Sequence, residues 1–175
     1  MTSIRSCLSG VLILCFAGLV RASPPQTTHE RQGAGVEDLA AIIGTWQSDV
    51  VDGRSAVSSC VWTPQRTAVL CEQTITSQSG VRHALNLFTF DPAQPAYYLY
   101  VVPQPGQPAV AVPIAIEGTR WIYGGAPTAA GQRRYRTIND FSKPDSYDWW
   151  TESSDDGAHW TRVAGGRSVR VDGRK

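Results

Sequence analysis

The chain has 175 residues, 42% of them hydrophobic, with 16 basic and 15 acidic side chains. That length suits one hydrophobic core. The near-neutral balance leaves no electrostatic footprint for nucleic acid, and four cysteines and three scattered histidines offer no metal-ligand spacing.

Residues 1–22 read as a secretory signal peptide. Arg5 supplies the basic start, Leu8 to Val20 is an almost unbroken apolar stretch, and Val20-Arg21-Ala22 places small or apolar residues around a cleavage site before Ser23. The stretch is shorter than the ~20 residues that span a bilayer. The protein is therefore expected to be secreted or periplasmic, with no stable membrane span after cleavage. Cleavage removes Arg5 and Arg21 and no acid, so the processed chain carries one more acid than base. It also removes Cys7 and Cys15, leaving Cys60 and Cys71.

Residues 23–36 lack a periodic apolar pattern and contain Pro24-Pro25, so a disordered leader is expected. Glu37 to Ile43 can form about two helical turns. Acids stand in the first turn, where the helix dipole favours them; Leu39, Ile42 and Ile43 share a face, and Gly44 stops the helix.

After Gly44 the chain alternates short β-type runs with turn clusters. Strands are expected at Thr45–Val51 (ending at Asp52-Gly53), Val57–Trp62, Ala68–Thr76, Ala84–Phe90, Ala96–Val102 (ending at the turn Pro103 to Pro108), Ala109–Ile116, Arg120–Tyr123, Gln132–Ile138, Tyr147–Ser153 and His159–Val163, with a tail strand at Ser168–Val171. Short turns between consecutive strands imply antiparallel pairing. The expected fold class is all-β: a single antiparallel up-and-down β-barrel of about ten strands over residues 37–171, with a short N-terminal helix.

Thr63-Pro64-Gln65-Arg66 reads as a turn. A hairpin pivoting between Gln65 and Arg66 sets Cys60 directly opposite Cys71, within disulfide range. In an exported protein such a pair is expected to be oxidised, the alternative being two small buried thiols. Later strands assign faces by alternation. Asn86, Phe88 and Phe90 oppose Leu85, Leu87 and Thr89. Tyr98 and Tyr100 oppose Leu99 and Val101. Asp148 and Glu152 should face water, sending Tyr147 and Trp149 inward and Trp150 outward.

The short helix followed by Gly44-Thr45-Trp46 resembles the calycin superfamily, the lipocalins and fatty-acid-binding proteins, in which a Gly-x-Trp on the first strand plugs the closed end of a barrel. The spacing of later elements resembles a bacterial group of lipocalin-like proteins, the DUF1579-like group. Its features here are the hairpin of the second and third strands, Asp91 to Tyr97, and the hairpin Ser154-Asp155-Asp156-Gly157-Ala158-His159-Trp160. The resemblance covers roughly residues 37–165. It implies that Trp46 is a structural plug and that a late arginine stacks on it, Arg162 or Arg167 being the candidates. The second lipocalin signature, Thr-Asp-Tyr, is not present.

No Gly-x-Ser-x-Gly elbow, phosphate loop or paired zinc-ligand motif is found, so no catalytic residue, metal or cofactor is assigned. His29, His83 and His159 stand in leader or turn positions, Arg133-Arg134-Arg136 reads as a solvated strand end, and Asp155-Asp156 as turn composition. The aromatic side chains fall on strands, where they serve as core or as the wall of a ligand cavity. The candidate wall is Asn86, Tyr98, Tyr100, Trp121, Tyr123, Arg136 and Trp149, with Asn86 or Arg136 at a polar end. Three functions suit such a barrel. It binds a small apolar or amphipathic ligand, it is a filled structural or interaction module, or it is a cofactor-free isomerase or cyclase.

Overall fold

The structure is a computed structural model that describes residues 34–49, 53–102, 108–125 and 132–171. The signal segment, most of the leader, Asp52 and most of the Pro103–Pro108 turn lie outside the described residues.

Ten antiparallel strands close into one up-and-down barrel, each strand pairing with its neighbours in sequence and β1 closing against β10. They are β1 (Gly44–Ser48), β2 (Ser55–Trp62), β3 (Ala68–Ser77), β4 (Gly80–Asp91), β5 (Ala96–Val102), β6 (Val110–Glu117), β7 (Arg120–Gly124), β8 (Arg134–Lys143), β9 (Ser146–Ser154) and β10 (Thr161–Arg170). Closure leaves no sheet edge to be managed.

The late strands differ from expectation: β8 starts at Arg134 and runs on to Lys143, and residues 161–163 and 168–170 belong to one strand, β10. Gly165 and Gly166 carry β10 between them, opposite Trp150 and Trp149, and a bulge between Arg162 and Ala164 absorbs the irregular spacing. The N-terminal helix is a 3-10 helix, Val36–Ile42. The tighter winding eclipses side chains three apart, so Leu39 and Ile42 point together into the barrel end, at 0% and 6% exposure.

That helix plugs one end. Leu39 and Ile42 pack with Val69, Phe88, Tyr97 and Ile114. Above them lies an aromatic floor: Trp121 and Phe141 rings are 5.0 Å apart, Phe141 and Tyr147 4.7 Å, and Trp46 and Tyr147 5.1 Å. The chain passes from helix to β1 through Gly44 at φ 117°, a backbone conformation that favours glycine. The helix is tied to the wall by Tyr97, whose hydroxyl bonds to the Asp38 carboxylate and accepts from Gly35 N–H at 3.0 Å. Burial, then the Asp38 bond, pushes the Tyr97 phenol up to about 12.

The β2–β3 hairpin has the expected register. Arg66 N–H donates to Thr63 O at 2.8 Å to form the turn, and Cys60 pairs with Cys71. The two are joined by a disulfide.

Candidate functional site

The barrel is filled at the helix end and hollow beyond it. A cavity of about 620 Å³ runs from Ile42 and Trp46 at the floor to Val101 and Tyr135 near the opposite strand ends. That is ample for a small-molecule ligand.

Trp46 is the centre of the floor. It is 2% exposed, its Nε1–H donates to Ile42 O at 2.8 Å, and its ring contributes to the cavity wall. The arginine that stacks on it is Arg170, with its guanidinium carbon 4.2 Å from the ring centre and a bond donated to Ile43 O at 2.6 Å. This corrects the expectation of Arg162 or Arg167. Register explains the difference: Arg170 pairs with Trp46 across β1 and β10 and so shares its face. Arg162 instead lies 5.8 Å over Trp150, and Arg167 bonds to Asp148 at 2.7 Å.

The lining has two halves. On β4 to β6 it is apolar, built by Phe88, Leu99, Val101 and Val112; the opposite arc carries Ser48, Ser58, Gln73, Thr137, Asn139 and Ser168. Most of these polar groups are already paired. Gln73 donates to Ser58 at 3.2 Å, Asn139 donates to the Tyr123 hydroxyl at 3.2 Å, and Thr137 bonds Thr151 at 3.0 Å. Asn86, at the border of the two halves, makes no side-chain hydrogen bond among the described residues, so its amide is available to a ligand.

Four of the seven candidate wall residues, Asn86, Tyr123, Arg136 and Trp149, border this cavity. Trp121 is 1% exposed and belongs to the floor, against Phe88 and Phe141. Tyr98 and Tyr100 share a face as expected, but that face is the outer one: they pair with Pro113 and Ala111, while Leu99 and Val101 line the cavity. β5 is apolar or aromatic at every position, so alternation groups its residues without telling which group turns inward. Arg136 touches the cavity but its head group does not serve it. The Nε donates to Glu152 at 2.6 Å, and the guanidinium stacks 4.2 Å over Trp160. Residues not singled out from the sequence, chiefly Gln73, Asn139, Leu99, Val101 and Val112, complete the wall. Period-two alternation marks each as a face residue but does not select its face.

Trp149 and Tyr147 face inward and Asp148 and Glu152 outward, as expected from their strand. Trp150 is outside, where Arg162 and Arg120 cover it and its Nε1–H donates to Glu152 at 3.0 Å.

The two inward-facing phenols, Tyr123 and Tyr147, carry no charge at neutral pH. Burial drives the Tyr123 phenol well above its ordinary value, reinforced by Tyr147 and partly offset by the bond from Asn139. Burial also raises Tyr147, against a smaller opposing effect of its bond with Ser168. Both phenols therefore stay protonated, and the wall offers apolar surface with neutral donors and acceptors. Among the described residues no group of His, Cys, Asp or Glu is arranged to hold a metal.

The closed ten-stranded antiparallel barrel, plugged at one end by a helix and a tryptophan under an arginine, is consistent with a calycin-like fold. No family model matches the chain, and no curated protein matches it in sequence.

Proposed function

We propose that this is an exported binding protein that carries a small apolar or amphipathic molecule inside its barrel. The observation that supports this reading best is the hollow of about 620 Å³ above the aromatic floor. A barrel of about eight strands can just fill itself with its own side chains and the diameter grows with strand number, so ten strands leave room for this space. Export is supported by the signal-like residues 1–22 and by the Cys60–Cys71 disulfide, a bond that persists in oxidising compartments. The outer face carries the ion pairs Arg136–Glu152 and Arg167–Asp148. Ion pairs on the outer wall weigh against a membrane-spanning barrel, whose outer face is an apolar band.

The test is titration of the uncharged fluorophore N-phenyl-naphthylamine, which brightens in apolar surroundings. The wild type should bind it saturably. The double variant Val101→Phe, Val112→Phe, which fills the cavity from one wall, should bind at least about tenfold more weakly while keeping its β-sheet circular dichroism. Equal binding by both proteins would place the probe on the outer surface and contradict the proposal.

A further inference from the structure

The charges around the cavity are all committed elsewhere or stand apart from it. Arg136 is neutralised by Glu152 at 2.6 Å and stacked on Trp160. Arg170 lies at the floor, bonded to Ile43 O and covered by Trp46. Besides Arg170, the described cations in phase with the inner face are Arg54, two residues before Ala56, and Arg82, opposite Ile75; both are exposed and neither is part of the wall. Against this, the neutral groups are well placed. Among the described residues Asn86 makes no side-chain hydrogen bond, and Gln73 uses its amide N–H on Ser58 and keeps its carbonyl.

We propose that the bound molecule is an uncharged amphiphile. Its apolar body lies against Phe88, Leu99, Val101 and Val112, and its hydroxyl, carbonyl or amide end bonds to Asn86 beside Gln73. The proposal rests on the binding reading above and narrows it to a chemical class. A carboxylate drawn into this cavity loses its water and meets no cation in return, a cost that hydrogen bonds from one amide do not offset. A neutral hydroxyl or amide loses far less and recovers it in one or two hydrogen bonds. The interior therefore discriminates by charge rather than by length.

The experiment is displacement of N-phenyl-naphthylamine by two competitors of matched chain, dodecanol and dodecanoate, at a pH where the acid is ionised. Dodecanol should displace the probe at least about tenfold more effectively than dodecanoate. Asn86→Leu should weaken dodecanol severalfold while leaving the probe bound, since the probe depends on the apolar wall. Dodecanoate competing as well as dodecanol on the wild type would overturn the proposal, without touching the binding reading. If that competition disappeared in the double variant Arg54→Gln, Arg82→Gln, the charged head would be located at the mouth. Failure of the probe to bind at all would instead remove the binding reading, and this inference with it.

Discussion

Trp46 and Arg170 close the floor by satisfying a helix end. The last carbonyls of a helix have no partner within it. Here Ile42 O accepts from the Trp46 indole at 2.8 Å and Ile43 O from Arg170 at 2.6 Å. One tryptophan thus fills the barrel end, caps the helix and stacks against the arginine. Trp46→Ala should lower stability by about 3–5 kcal/mol, measured by chemical denaturation. Trp46→Phe, which keeps the ring and loses the bond, should cost less. Wild-type stability in Trp46→Ala would show that the floor is not built on this residue. A second residue-scale prediction concerns the Ser154–Trp160 turn. Asp156 accepts from His159 Nδ1 at 2.6 Å and from the His159 and Ala158 backbone N–H groups at 2.8 Å. The side-chain bond with His159, foremost, holds the Asp156 carboxyl far below its usual range, and Asp156 raises His159 above 6.5. The histidine's contribution is complete below 6.5 and fades as pH rises through its raised folded value. The aspartate's contribution is present above its ordinary 3.8 and fades only as pH falls through its lowered folded value. The turn is therefore best held from about pH 4 to 6.5. An NMR titration should place His159 above 6.5 in the wild type and near 6.5 in Asp156→Asn. A wild-type value at or below 6.5 would contradict the pairing.

At the scale of elements, three devices hold strands and helix in place. Tyr97 anchors the 3-10 helix through Asp38 and Gly35. Tyr97→Phe should cost about 1–3 kcal/mol and speed hydrogen exchange of the helix amides more than those of β5. The disulfide spans 11 residues. Reducing it should lower stability by about 2–3 kcal/mol in the chain-entropy model, read from denaturation with and without a reductant. Gly124, at φ 81°, brings its Cα close to a neighbouring strand, where an added Cβ would lie 3.0 Å from Tyr135 O. Gly124→Ala should therefore cost more than the usual glycine-to-alanine change, because neither the conformation nor the backbone oxygen can yield cheaply. The strand elements and the Cys60–Cys71 register were legible in the sequence because turn residues and hairpin geometry are local. Length was less legible where nothing local stops a strand. β8 runs on to Lys143 past the expected Ile138, and Gly165-Gly166 reads as a break although a barrel wall passes through it. The partner of Trp46 was misjudged for a related reason, since the closing β1–β10 register joins the two ends of the domain and no local signal encodes it.

For the whole molecule, the barrel interior is divided along its axis. The helix end is packed solid with Leu39, Ile42, Trp121 and the aromatic floor, and the far half is open space with an apolar and a polar side. A sequence can place aromatics on strands, yet whether a barrel is full depends on side-chain volumes contributed by all ten strands at one level. The same limit applied to the wall: Asn86, Tyr123 and Trp149 were chosen for residue type, and Tyr98 and Tyr100 for the same reason with the opposite placement. Filled floor and hollow upper half suit the proposed binding role, whose central property is occupancy. Native mass spectrometry of the protein purified from its own source tests this most directly. The account predicts a second species heavier by one small molecule of a few hundred daltons, released on denaturation and diminished in the Val101→Phe, Val112→Phe variant. A single ligand-free mass that stays unchanged when the protein is offered a saturating uncharged amphiphile would contradict it.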